Sequence, residues 1–358
     1  MIRKTRVLIA DDSPFVCRLL TSYLHSAPEF EVVGTAYDGR QALEKVKALR
    51  PDALTLDLEM PEMDGLEALA HIMRECPTPV VAVSGVSGRA ATRTLQALDL
   101  GAVDFVLKYA PGTNIRPEEL CREILAKVSA ASRIRVVRLL GSRTAYFPTS
   151  GNAAREERRA PELEAGGSLV VIGASTGGPL ALRELLSRLP ANIAAGVIVV
   201  QHMPRDFTAV LAAQLDRHCR VRVREAEDGD RIERGKVLVA PGGCHLLLRP
   251  GFCVTVQPGG PADTFCPSVD AAMESAARIY GSATIGILLT GMGDDGACGM
   301  QAIHEKGGAT FAQDSESCVV DGMPRRARER GAVDGVAPPA ELAMMLIKEM
   351  ERRVTHAA

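Results

Sequence analysis

Two rhythms alternate along the first 130 residues. Short apolar runs rich in β-branched residues fall at RVLIA (6–10), EVVGTA (31–36), ALTLD (53–57), PVVAVS (79–84) and VDFVL (103–107). Helical patterns follow them over 14–26, 38–49, 65–75, 88–100 and about 116–130. Strands that are apolar on both faces need cover on both faces, so these five strand–helix units predict an α/β domain with a parallel sheet between helices.

The rhythm lapses over 131–167, a stretch rich in Arg, Ser, Gly and Ala with mixed charge, which reads as an interdomain linker. Within it IRVVRLL (134–140) has the pattern of a short docking helix. A second α/β series follows, with strands at 168–172, 196–200 and 284–289 and helices at 178–188, 206–215, 268–280, 296–305 and from about 338. Its middle is turn-rich and contains the hairpin-like HLLLRPGFCVTV (245–256). The expected domains are therefore 1–130 and 168–358, joined by 131–167, and no motif repeats between them.

Bulk composition narrows the class of function. At 358 residues the chain exceeds one ordinary core, and 46% hydrophobic against 24% charged residues describes a folded globular protein. A net charge of −2 gives no reason to expect nucleic acid or an anionic membrane as partner. Nine cysteines, an odd number with no C-x-x-C pair, suggest neither a disulfide framework nor a zinc site. Acidic residues interrupt the N-terminal apolar run, and no stretch reaches the roughly 20 apolar residues of a membrane span. The expectation is a cytoplasmic protein with no direct membrane insertion.

Chemistry clusters at predicted strand ends. LIADDSP puts Asp11 and Asp12 just past the first strand, and LTLDLEMPEMDG puts Asp57 at the end of the third. In a doubly wound sheet these ends share one rim, and an oxygen-only carboxylate cluster there suits Mg²⁺. With metal present, one carboxylate can accept a phosphoryl group, Ser84 can hydrogen-bond it and Lys108 can pair with it. Asp11, Asp12 and Ser13 would equally serve as an N-terminal cap ahead of Pro14. Residues 5–130 resemble the receiver domain of two-component response regulators. The resemblance implies a flavodoxin-like five-stranded sheet of order 2-1-3-4-5. It also implies Asp57 as phosphoacceptor, Asp11 and Asp12 with Asp57 as the Mg²⁺ site, Ser84 as switch hydroxyl and Lys108 as phosphate-pairing lysine. Receivers usually follow that lysine with proline; here Tyr109 follows it.

In the second half GASTG (173–177) satisfies G-x-S-x-G, a strand-to-helix turn that holds Ser175 clear of the backbone. A glycine turn binding phosphate or dinucleotide is the competing interpretation, but the G-x-G spacing is missing. Serine needs a base, and His202 in GVIVVQHMP directly follows a strand of the same sheet. His245 opens the hairpin and suits a structural or cleft-lining part, while His218 ends a polar helix. TIGILLTGMGDDG supplies Asp294 or Asp295 to orient the imidazole.

IGASTGGP, VVQHMP, EAEDGD, APGGCH, PSVD, LTGMGDDG and SCVVDGMP together resemble the catalytic domain of chemotaxis protein-glutamate methylesterases over 168 to about 336. The resemblance implies a C-terminal doubly wound α/β esterase domain with a Ser-His-Asp triad. Ser175 would be the nucleophile, His202 the base, Asp295 the orienting acid, and the backbone N–H of Met292 part of the oxyanion hole. Cys266 stands where arginine is expected before PSVD, and Gly243 where an acid is expected. It further implies a phosphorylation-activated hydrolase that demethylates glutamyl esters and deamidates glutamines on methyl-accepting chemoreceptors. A histidine kinase would supply the phosphoryl group, and the esterase reaction would need no cofactor. A DNA-binding output would need a basic helix-turn-helix after the linker, which the second α/β series does not provide. A catalytically silent binding module would have no need of Ser175, His202 and Asp295 together.

Overall fold

The computed structural model describes residues 3–85, 87–108, 117–134 and 167–357. Tyr109, the helical segment expected at 134–140 beyond Ile134, and most of the linker expected over 131–167 lie outside these. The chain divides into two compact units, Met1–Pro148 and Thr149–Ala358.

In the first unit β1 (Thr5–Ala10), β2 (Phe30–Ala36), β3 (Ala53–Asp57), β4 (Val80–Ser84) and β5 (Asp104–Leu107) alternate with α1 (Pro14–His25), α2 (Gly39–Leu49), α3 (Gly65–Glu75), α4 (Gly88–Leu100) and α5 (Pro117–Ser132). The sheet is parallel with order β2-β1-β3-β4-β5, as the resemblance implies. All five residues of β3 and of β4 are buried, which is why those runs lack polar alternation. Helix starts follow local chemistry: Ser13, Asp38, Asp64 and Ser87 each accept a backbone N–H of their helix's first turn. Such caps are each worth about 1 kcal/mol. Ser13 is thus a cap while Asp11, two residues earlier, is not, so the two interpretations of that stretch divide between its residues.

The second unit contains β6 (Ser168–Ala174), α6 (Gly178–Leu186), β7 (Ala195–Gln201), α7 (Phe207–His218), β8 (Arg222–Glu225), β9 (Lys236–Val239), β10 (Cys244–Arg249), β11 (Cys253–Pro258), α8 (Val269–Tyr280), β12 (Thr284–Leu288), α9 (Ala297–Glu305), β13 (Ala309–Gln313), α10 (Met323–Glu329), β14 (Gly335–Ala337) and α11 (Pro339–Ala357). Seven parallel strands run β14-β13-β12-β6-β7-β9-β8, and β10 and β11 form an antiparallel hairpin beside them. The strands β8, β9, β13 and β14 and the helix α10 were not anticipated in the turn-rich segments. Leu246, Leu248 and Val254 of the hairpin share a core cluster with Ala272, Met273 and Ala276 of α8.

Strand β6 lies centrally. The chain leaves it for β7 on one side and returns much later as β12 on the other, so the strand order reverses there. A crevice outside the carboxyl ends of β6 and its neighbours is the expected binding position in such a sheet.

Candidate active site

The first rim gathers the five expected groups. Asp11 follows β1, Asp57 ends β3, Ser84 ends β4 and Lys108 follows β5, with Lys108 N–H donating to Ser84 C=O at 2.7 Å. Lys108 Nζ lies 2.6 Å from Asp57 Oδ2 and 3.0 Å from Asp11 Oδ2. Burial pushes the Asp57 carboxyl up to about 6, against the pull of Lys108, and it raises Asp11 as well. Lys108 is held above its ordinary value, since the two carboxylates outweigh its own burial. Ser84 Oγ accepts from Thr94 Oγ1 at 2.6 Å, so its hydroxyl is engaged away from the carboxylates. One donor oxygen from each of Asp11, Asp12 and Asp57 falls within 4.8 Å of the others. Asp11 Oδ2 is buried and meets the Lys108 ammonium at 3.0 Å. An all-oxygen carboxylate set fits Mg²⁺.

At the second rim, Ala174 of β6 pairs with Gln201 of β7, so Ser175 and His202 each sit one residue beyond paired strand ends. Gln201, buried inside the rim, ties the two turns together: its Nε2 donates to the carbonyls of Ser175 (2.9 Å) and His202 (3.1 Å). Ser175 N–H donates to Thr290 C=O at 3.0 Å, and the Thr290 hydroxyl donates to Thr176 C=O at 2.9 Å. The turn therefore hangs between β7 and the segment after β12. Its glycines are required sterically. A Cβ on Gly178 would lie 2.0 Å from Gln201 Oε1, and one on Gly177, at φ +78°, would lie 2.5 Å from Val319.

Of the two candidate acids, Asp294 is exposed and Asp295 is buried against His202, with His202 Nε2 to Asp295 Oδ2 at 2.7 Å. Asp295 also accepts from Val269 N–H (2.7 Å), Asp270 N–H (2.9 Å) and the Ser268 hydroxyl (3.1 Å). Burial alone would raise its pKa, but the His202 contact and these N–H groups hold it below the usual aspartate value. Ser175 Oγ and His202 are not hydrogen-bonded to each other in this state. Gly291 C=O accepts from both Gly322 N–H and Met323 N–H, which fixes the backbone leading into exposed Met292. A serine, an imidazole anchored through one nitrogen and a buried carboxylate on adjacent strand ends can support acyl transfer.

Comparison with known proteins agrees in both halves. A family model described as response regulator receiver domain matches residues 7–120, and one described as CheB methylesterase matches 170–346. A Carboxydothermus hydrogenoformans protein named protein-glutamate methylesterase/protein-glutamine glutaminase 2 is 42% identical, covering 96% of this chain and 99% of that one. A similarly named Geobacter metallireducens protein is 44% identical, with 97% and 96% covered. The solved Thermotoga maritima CheB methylesterase catalytic domain aligns at 42% identity over 51% of this chain and 98% of that chain, with TM-score 0.49. The chain belongs to the protein-glutamate methylesterase/protein-glutamine glutaminase family.

Several groups around this family's site escaped the sequence reading. The Phe265 ring stacks on the His202 imidazole, with centroids 4.8 Å apart and planes 7° from parallel. Ser268 caps α8 and at the same time donates to Asp295. Asp270 Oδ1 accepts from Gly296 and Gly299 at the start of α9, and burial raises its carboxyl to about 6. PSVD, legible in the sequence only as part of the resemblance, thus braces the loop that carries Asp295; the Ser-x-x pattern before a helix was its one local signal. Phe265, Ser268 and Asp295 border a cleft of about 560 Å³ that runs on to His245 and Asp263. Neither Ser175 nor His202 is among its walls, but Phe265 and Asp295, which both contact His202, are. His245 lines it, as expected, and its Nε2 lies 2.8 Å from Asp263 Oδ2. At the two departures from the family pattern, Gly243 adopts φ +74° and donates its N–H to Cys266 C=O at 3.3 Å.

Proposed function

We propose that this chain is a phosphorylation-activated enzyme that hydrolyses glutamyl methyl esters on chemoreceptors, releasing methanol, and deamidates receptor glutamines by the same route. Ser175 is the nucleophile. The Nε2 proton of His202 is committed to Asp295, so Nδ1 is the nitrogen left to take the Ser175 proton as Oγ attacks the ester carbonyl. The Met292 N–H stabilises the tetrahedral oxyanion. His202 then returns the proton to the leaving methoxide, or in the deamidation to the amide nitrogen, which departs as ammonia, and activates water to release the glutamate carboxylate. Asp295 stays ionised throughout and stabilises the imidazolium. The single observation that carries this assignment is the 2.7 Å His202–Asp295 contact at the rim where the Ser175 turn ends.

The receiver, residues 1–130, takes a phosphoryl group on Asp57 from a histidine kinase. Asp11, Asp12 and Asp57 would hold Mg²⁺, which supplies charge neutralisation of the phosphate when bound. Lys108 then pairs with the phosphoryl oxygens, and Ser84 exchanges Thr94 for the phosphate. Residues 131–167 connect the receiver to the catalytic unit, 168–358, and are long enough to permit the shift between two states that phosphorylation brings about. Among the described residues no helix is long and apolar enough to cross a membrane, and the reading puts the enzyme in the cytoplasm.

The test is methanol release from methyl-labelled chemoreceptor membranes, with and without a small-molecule phosphodonor and Mg²⁺. Release that rises with the donor and vanishes in Ser175→Ala supports the whole reading. No release while Asp57 is phosphorylated overturns the esterase assignment. A 167–358 fragment no more active than the unphosphorylated chain overturns the regulatory one.

A further inference from the structure

Among the described residues, one cluster of metal-ligating side chains lies outside both sites. His245 is the second residue of β10, while Asp263 and Cys266 lie on the loop between β11 and α8, 18 and 21 residues further along the chain. The hairpin and loop bring one donor atom from each within 4.8 Å of the other two. One end of the His245 ring faces Asp263 Oδ2 at 2.8 Å, and the other, Nδ1, is buried with no hydrogen-bond partner. The Asp263 carboxylate is steered by Gly260 N–H at 2.6 Å, and Gly259 makes room for the thiol, since a Cβ there would lie 2.4 Å from Cys266 Sγ.

We propose that His245, Asp263 and Cys266 form a binding site for a zinc-class divalent cation, with one nitrogen, one oxygen and one sulfur ligand and a fourth position open to solvent. That donor set is a borderline-soft one suited to zinc, and three protein ligands with an open position is the arrangement of non-structural zinc sites. A neutral imidazole with two anionic ligands matches the dication's charge. His245 and Asp263 both line the cleft beside the active site, and Phe265, between the two loop ligands, stacks on His202. Occupancy clamps the hairpin to this loop and fixes the ring that packs on the His202 imidazole. The inference does not depend on the esterase reading.

Co²⁺ is the probe, added to the full chain under reducing conditions, because a thiolate ligand gives an ultraviolet ligand-to-metal charge-transfer band. The oxygen-only Asp11, Asp12 and Asp57 cluster cannot produce that band. One equivalent of Co²⁺ is expected to produce it and Zn²⁺ to abolish it by displacement. Cys266→Ser should eliminate the band, and Asp263→Asn or His245→Ala should weaken Co²⁺ binding at least about tenfold, since even outer partners of metal ligands are worth that much. Absence of the band in the unaltered chain overturns the proposal. So does a band that survives Cys266→Ser and disappears in Cys244→Ser.

Discussion

The two units solve the same architectural problem and treat a buried aspartate in opposite ways. Each has a parallel sheet, and each collects its reactive groups where the strands end. Asp57, 2% exposed, receives one backbone N–H and one ammonium, too little to offset burial, and its pKa rises to about 6. Asp295, 4% exposed, receives His202, two backbone N–H groups and a hydroxyl, and its pKa falls. Burial is nearly equal, so the surroundings decide the sign: fewer donors and a neighbouring Asp11 at Asp57, more donors and His202 at Asp295. A carboxylate left short of donors suits the metal and phosphoryl role proposed for Asp57. One surrounded by donors is poised to stay charged beside an imidazole.

The sharpest way to separate the units is Ser175→Ala. It should lower methanol release by a factor of about 10⁴ or more, while phosphorylation of Asp57, followed with a labelled phosphodonor, is unchanged. Next in size, Asp295→Asn should cost on the order of 10³–10⁴ in kcat by leaving His202 in the wrong tautomer. Asp57→Asn should leave the unstimulated rate intact and remove only its rise with donor, which parallel assays of the two variants will register.

Stability against pH reads the same contrast thermodynamically. Asp57 keeps its proton in the folded state up to pH about 6, whereas the unfolded chain releases it near 4. Between those values folding binds a proton, so stability from this group falls as pH rises and the loss is complete above about 6. Asp57→Asn should therefore stabilise the receiver at pH 7 by about 1–3 kcal/mol and flatten its denaturation midpoint between pH 4 and 6. Asp295 has the reverse sign: its contribution is present at neutral pH and is lost as pH falls below the ordinary aspartate range. The smallest expected effect is that of Ser268→Ala, which removes one donor from Asp295. It should cost about 1 kcal/mol of orientation, roughly a fivefold fall in kcat with little change in KM.

Legibility followed burial and length. β3, β4, β6 and β7 are wholly buried and announced themselves as apolar runs. β8, RVRE, is a four-residue edge strand with one buried residue and three charges, and β14 is three residues long, so neither carries enough periodicity to be read. Ser175 and His202 were legible because each directly follows a strong strand, and GDDG narrowed the acid to two neighbours. Which of them faces His202 depends on how PSVD docks onto that loop, a contact 25–27 residues away in sequence. The stacking of Phe265 and the meeting of His245 with Cys266 have the same origin, since loop packing leaves no period in the chain.

The strand order also sets a timetable. Ser175 and His202 lie on consecutive strands and can meet as soon as β6 and β7 pair, but Asp295 arrives 93 residues after His202, on the far side of β6. Until β12 emerges from the ribosome, one edge of β6 is unpaired and the imidazole has no anchor. A growing polypeptide therefore displays the serine turn long before His202 gains its Asp295 partner.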